Sequence, residues 1–157
     1  MKSLQRTFGL LVLAQAGHSV EEYIGRLWES FPPARLLTGL ISENREQAFI
    51  ALNVVLVAFG SWCFAWPVRR GWPSAAGLMW LWVVVELING IGHPLWAFRA
   101  GGYTPGVVTA PLLLILAVLL ARELLRRDMP DSDALPRRDA RAQQPSGQAD
   151  NQRVRHD

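Results

Sequence analysis

The sequence predicts an all-α integral membrane protein, a four-helix bundle followed by a disordered polar C-terminal tail. Half of the 157 residues are hydrophobic, and they gather into four blocks, about 7–27, 46–66, 74–98 and 105–125. Each block is near the ~20 residues that a helix needs to cross a bilayer. Arginines collect at block ends (Arg69 and Arg70; Arg122, Arg126 and Arg127), where lipid headgroups and aqueous loops receive them. From Asp128 to Asp157 the chain is Pro, Gln, Asp, Arg and Ser with almost no aliphatic side chains, a composition that cannot bury a core. One membrane domain is therefore expected over residues 1–127 and a disordered tail over 128–157.

The first block carries the least expected residues, in GHSVEEYI, residues 17–24. His18, Glu21 and Glu22 fall in the outer half of a membrane span, where hydrocarbon penalises ionisable groups by several kcal/mol or more. A cleaved leader is one explanation: MKSLQR is a basic start, TFGLLVL a short apolar run, and Ala14-Gln15-Ala16 a small-x-small cleavage pattern. Against cleavage, apolar residues continue past the charges through Val20, Tyr23, Ile24, Leu27 and Trp28, as in a full span ending on an interfacial Trp. The third block also carries ionisable residues, which a solvated N-terminus would leave without partners.

The second block holds Asn53 early and the single cysteine, Cys63, late, between Trp62 and Phe64. One cysteine can form neither a disulfide framework nor a Cys-based zinc site, so Cys63 is expected to pack. The third block contains ELINGIGHP, with Glu86, Asn89 and His93. Pro94 lacks the N–H that would bond the Gly90 carbonyl, so a kink is expected there. Gly90 and Gly92 allow either close helix packing or a site role. The fourth block has Thr109 near its start and runs to the Arg cluster.

Placing the N-terminus inside puts Lys2, Arg6, Arg69, Arg70, Arg122, Arg126 and Arg127 in the cytoplasm, against Arg26, Arg35, Arg45 and Arg99 outside. That excess favours a multi-pass protein of the inner (plasma) membrane with both ends cytoplasmic. With four spans the first and third run parallel. His18, Glu21, Glu22, Asn53, Glu86, Asn89, His93 and Thr109 then share one half of the membrane, bordered by Glu43, Asn44, Glu46, Tyr103 and Thr104, while the opposite half is nearly pure hydrocarbon. One cavity, open to the non-cytoplasmic side, is the expected result.

At about 100° per residue, His18 and Glu22 lie about 40° apart, and Glu21 stands about 60° to the other side. Glu86, Asn89 and His93 fall within about 60° of one another. Depths counted from the span starts set Glu86 level with His18, and Asn89 level with Glu21 or Glu22. His93 lies seven residues, about 10 Å, nearer the mouth. The favoured pair is thus His18 with Glu86, and His93 alone reads more readily as a mouth or cap residue.

These residues resemble a known family. His18-Ser19-Val20-Glu21-Glu22 matches the signature of the HXXEE-domain proteins, small bacterial multi-span membrane proteins. The spacing of Glu86, Asn89 and His93, and Tyr103-Thr104-Pro105-Gly106, are similar to that family's further motifs, so the resemblance spans residues 5–125. It implies a candidate site, with metal binding or catalysis suspected, and no particular reaction.

Three uses fit the same cluster. The first is a metal-assisted enzyme, a hydrolase or an oxidoreductase, with His18, Glu22, Glu86 and His93 as ligands to Zn, Fe or Mn and Glu21, Glu86 and Asn89 as catalytic groups. A Glu and a His at helical spacing form a usual donor unit in bundles. Such an ion would activate water, or dioxygen if it were iron. The second is metal-free acid–base isomerisation of a lipid-like substrate, since three crowded carboxylates in a low dielectric leave one acid and one base at neutral pH. The third is non-enzymatic, a protein that binds an ion or a small molecule. Simpler roles remain beside them: Glu22 and Arg26 at i, i+4 could form a rim ion pair, and Tyr103 could be an interfacial belt aromatic.

The partners expected are the lipid bilayer and a lipidic or amphipathic small molecule, for which Trp80, Trp82, Trp96 and Phe98 would form greasy walls if they point inward. No basic stripe with interleaved aromatics occurs on a soluble face, so nucleic acid is excluded. Four short spans make a thin bundle, for which a homodimer would be unsurprising.

Overall fold

A chain of long apolar runs separated by Gly, Pro and Asn should form helices whose ends fall at those residues. The computed structural model describes residues 2–128 and is all-helical over them, with no strand among the described residues. Helix α1 (Lys2–Ile24) is followed by the single turn α2 (Leu27–Ser30) and by α3 (Pro32–Ile41). Helix α4 (Arg45–Cys63) passes into a π-helical turn at Phe64–Val68, and α5 (Ala75–Ala100) and α6 (Ala110–Asp128) complete the order. Residues beyond Asp128, and with them nearly all of the predicted tail, lie outside the described residues.

The breaks have local causes. Arg26 takes a left-handed conformation (φ 54°) between α1 and α2. Pro32 and Pro33 open α3, where a helix has no use for their missing N–H groups. The Asn44 side chain accepts from the Gln47 backbone N–H at 3.1 Å and caps α4. Gly101, at φ 71°, ends α5 in the left-handed conformation that glycine adopts without strain.

The four long helices fall on the four predicted blocks, with shifted ends. Two of them, Arg45–Val68 and Ala75–Ala100, are long and apolar enough to cross a membrane. Helix α1 begins at Lys2, before the expected start, and α6 begins at Ala110, after it. Helices α2 and α3 stand where the sequence reading has only a connection. Helix α5 runs through Pro94, where a kink is expected, without ending there. The departure from α geometry lies instead in the π-helical turn that contains Pro67.

Phe8 and Leu11 of α1, Met79, Trp82 and Val83 of α5, and Leu113 and Leu120 of α6 form the centre of the core. Cys63 is wholly buried among them, so it packs as expected. Helices α5 and α6 approach closely at Gly90, where an added Cβ would meet the Leu114 Cα at 2.9 Å. Gly90 therefore serves helix packing. Of the expected wall residues Trp82 points inward, whereas Phe98 is 85% exposed. The half of the bundle opposite the predicted site is not purely apolar either. There Glu123 Oε1 accepts from Ser3 Oγ at 2.7 Å and Thr7 Oγ1 at 3.2 Å.

Candidate metal centre

Helix α1 presents His18 and Glu22 one turn apart, and α5 brings His93 against both. The three side chains are buried, with His18 at 0% exposure. Glu22 Oε1 lies 3.4 Å from His18 Nε2 and 3.2 Å from His93 Nε2. The two imidazoles meet edge to face, 4.8 Å between ring centres. One donor atom from each residue lies within 4.8 Å of the other two, so the group could hold a metal ion.

The opposite nitrogen of each ring decides what faces the centre. His93 Nδ1 is 2.7 Å from the Pro105 carbonyl oxygen. A carbonyl can only accept, so Nδ1 carries the hydrogen and donates it. His18 Nδ1 is 2.7 Å from Thr109 Oγ1. That hydroxyl spends its own proton on Glu21 Oε2, 2.5 Å away, so it accepts from His18 Nδ1–H. In its neutral form each ring is thus fixed in the tautomer whose Nε2 lone pair faces Glu22. His18 Nε2 is fully buried and makes no hydrogen bond. Two imidazole lone pairs and a carboxylate aimed at one another repel unless a cation or a proton sits between them.

Glu21 faces the other way. Its oxygens accept from the backbone N–H groups of Gly106 (3.1 Å), Val108 (3.0 Å) and Thr109 (2.8 Å), and from the Thr109 hydroxyl. Tyr103 Oη adds a fifth donor at 3.3 Å, so Tyr103 has a specific partner besides any belt role. Partial desolvation, then the neighbouring Glu21 carboxylate, push the Tyr103 phenol above its ordinary range, so the hydroxyl keeps its proton through neutral and mildly alkaline pH. A carboxylate filled this way anchors the chain entering α6.

Glu86 and Asn89 form a separate group nearer the middle of the bundle. Glu86 is wholly buried. Asn89 Nδ2 donates to it at 3.2 Å. The Gln15 amide, oriented to satisfy both its ends, donates to both Glu86 oxygens at 3.0 Å and accepts from Ser19 Oγ at 3.1 Å. Of the predicted site residues, the structure brings His18, Glu22 and His93 together and places Glu86 outside that group. The favoured pairing of His18 with Glu86 is therefore corrected to His18 with His93. The alternative of a Glu22–Arg26 rim ion pair is not what forms, because Arg26 pairs with Glu29 at 2.9 Å and Glu22 lies against His18 and His93.

Sequence reasoning names Pro105 and Gly106 only within a family motif and Gln15 only within a cleavage pattern, and gives none of them a site role. Gln15 carried a readable signal, a polar residue in an apolar run one turn before Ser19 on the same stripe. For the Pro105 carbonyl the only signal was that family motif, since any residue has a carbonyl. Gly106 is required twice over. Its φ is +91°, and an added Cβ would meet the His93 ring at 2.5 Å and the His18 ring at 2.9 Å.

A helical bundle with a buried two-histidine, one-carboxylate group defines the class. The chain matches, over residues 9–121, the model of a protein family of unknown function with an HXXEE motif. It belongs to that family, and the motif is His18 to Glu22. No curated protein and no solved structure matches it.

Proposed function

We propose that the protein is a four-span membrane protein whose His18, Glu22 and His93 hold a divalent metal ion for chemistry on a lipidic or amphipathic small molecule. The convergence of two oriented Nε2 lone pairs on one carboxylate oxygen carries the reading. Two His and one carboxylate suit Zn, Fe or Mn and leave coordination positions for water or substrate. Such an ion supplies Lewis acidity or an activated water. The chain's own residues do the positioning: the Pro105 carbonyl and Thr109 hold the ring tautomers, as outer partners of metal-bound histidines commonly do. Glu21 holds Thr109 and the backbone around it, and acts here as a positioning residue. Glu86 and Asn89 remain the candidates for proton handling.

Four spans are supported by the exteriors of all four long helices, including the two with charged ends. Leu10, Leu13 and Ile24 of α1 and Leu112, Ile115 and Leu119 of α6 stand exposed like Val54 and Val55 of α4 and Val84 and Ile88 of α5. Apolar exteriors on this scale mark an interaction surface, here lipid. The inner-membrane location with both ends cytoplasmic follows from the arginine distribution.

Metal analysis of the detergent-purified full chain tests the centre. Stoichiometric Zn, Fe or Mn is expected, lost in His18→Ala, Glu22→Ala and His93→Ala and kept in Glu86→Gln. Reproducible absence of metal from the wild-type chain sinks the reading. A second reading, metal-free isomerisation, draws on Glu86, a buried carboxyl whose partners are the neutral amides of Gln15 and Asn89. It would leave wild-type activity indifferent to chelators and abolish it in Glu86→Gln.

A further inference from the structure

The outer side of α1 carries a second feature that the metal reading does not use. Ser19 stands about 100° around α1 from His18, and from there an open groove of about 630 Å³ runs between α1 and α4. That volume lies within the range of small-molecule sites. Val20, Phe49, Ile50 and Val57 supply apolar walls, and Ser19, Asn53 and Tyr23 the polar groups. Each polar group is fixed by a partner. Tyr23 Oη closes one end by donating to Glu46 at 3.0 Å. Asn53 Nδ2 donates to the Phe49 carbonyl at 3.1 Å, which settles the amide orientation and leaves Oδ1 without a donor among the described residues. Ser19 spends its proton on Gln15, which leaves its oxygen as an acceptor.

We propose that this groove binds a neutral single-chain amphiphile whose hydroxyl donates to Asn53 Oδ1 and accepts from the free Asn53 amide N–H or lies against Ser19, while its alkyl chain lies along α1 and α4. Asn53 thus offers the groove its Oδ1 as an acceptor and its second amide N–H as a donor, and Ser19 Oγ adds an acceptor, a set that a group both donating and accepting satisfies. Its wall contains no charged side chain, so burying an ammonium or a carboxylate there would go uncompensated. A hydroxyl meets both conditions. The flanking helices set the rest of the chemistry, since a groove between two membrane spans opens onto acyl chains. The inference rests on the membrane-spanning reading of α1 and α4, and it does not depend on the metal. Ser19, Gln15 and Glu86 form a hydrogen-bonded line from this groove to the buried carboxyl, so two side chains would separate the occupant from it.

The test uses the full chain in lipid nanodiscs with three photoreactive probes: a diazirine-bearing long-chain primary alcohol, its carboxylic acid counterpart, and a diazirine phosphatidylcholine. The alcohol is expected to label residues 16–23 and 49–58 in preference to α5 and α6. Ala58→Trp, which fills the groove, should reduce that labelling about tenfold, and Asn53→Leu, which keeps the volume, should remove the preference for alcohol over acid. Even labelling of all four long helices, labelling indifferent to Ala58→Trp, or preference for the acid or the phospholipid would overturn the proposal. Metal content measured on the same samples separates the two readings, because neither substitution touches the centre. Retained metal with lost labelling is the expected pattern for Ala58→Trp, and absence of metal with intact labelling would sink the metal centre alone.

Discussion

Thr109 is the residue on which the most depends for its size. Its hydroxyl accepts from His18 and donates to Glu21, so one oxygen sets a ring tautomer on α1 and ties α1 to α6. Thr109→Val keeps the shape and removes both bonds. Metal affinity should fall about 10–100-fold, the usual effect of losing an outer partner of a metal ligand. Thr109→Ser should restore most of it, as read by competition with a chromogenic chelator. Legibility at this scale followed residue type. His18, Glu22 and His93 stood out because ionisable groups are rare in apolar runs. The different duties of adjacent Glu21 and Glu22 did not, because which carboxylate faces the ring pair and which faces the α6 entry depends on a loop that only the fold brings in.

Among the elements, the pair α5 and α6 sets the geometry of the centre. Gly90 lets α6 approach α5 until a Cβ would touch the Leu114 backbone, one turn from His93 on the same helix. Gly90→Leu should force the helices apart, lower thermal stability in detergent by about 1–3 kcal/mol as overpacking does, and weaken metal binding through displacement of His93. If stability fell while metal stoichiometry stayed intact, Gly90 would serve packing alone. The four long helices were legible from block length and composition. The level of His93 was not, because depth counted from apolar boundaries assumes equal starts, whereas α1 starts at Lys2 and α5 at Ala75. The error is about seven residues, or 10 Å. Helices α2 and α3 escaped notice because they are short, although Phe31-Pro32-Pro33 is a readable helix start.

Across the whole molecule the polar groups are distributed unevenly. One end carries the His–Glu centre, the Glu21 anchor and the Tyr23–Glu46 bond, and the other carries Glu123 with Ser3 and Thr7. Between them lie the buried Glu86 group with Gln15 and Asn89 and a hydrocarbon core around Phe8, Trp82 and Met79. With four spans, the 69–74 connection and the end of α6 share one side of the membrane, and the 42–44 and 101–106 connections share the other. Single cysteines introduced in a Cys63→Ala background and labelled with a membrane-impermeant maleimide should sort in that way. Labelling of both groups from one side would exclude four spans.

The connection from Tyr103 to Thr109 supplies the carbonyl for His93, the side-chain gap beneath both rings, the hydroxyl for His18 and three backbone donors for Glu21. None of these is a proposed metal ligand, yet together they determine how His18 and His93 point. The seven residues therefore work as a fixed-length jig. Adding or deleting one residue between Pro105 and Thr109 would put carbonyl and hydroxyl out of step with rings carried on two other helices. The connection over Glu43 and Asn44, which touches neither ring, has no such arithmetic to keep.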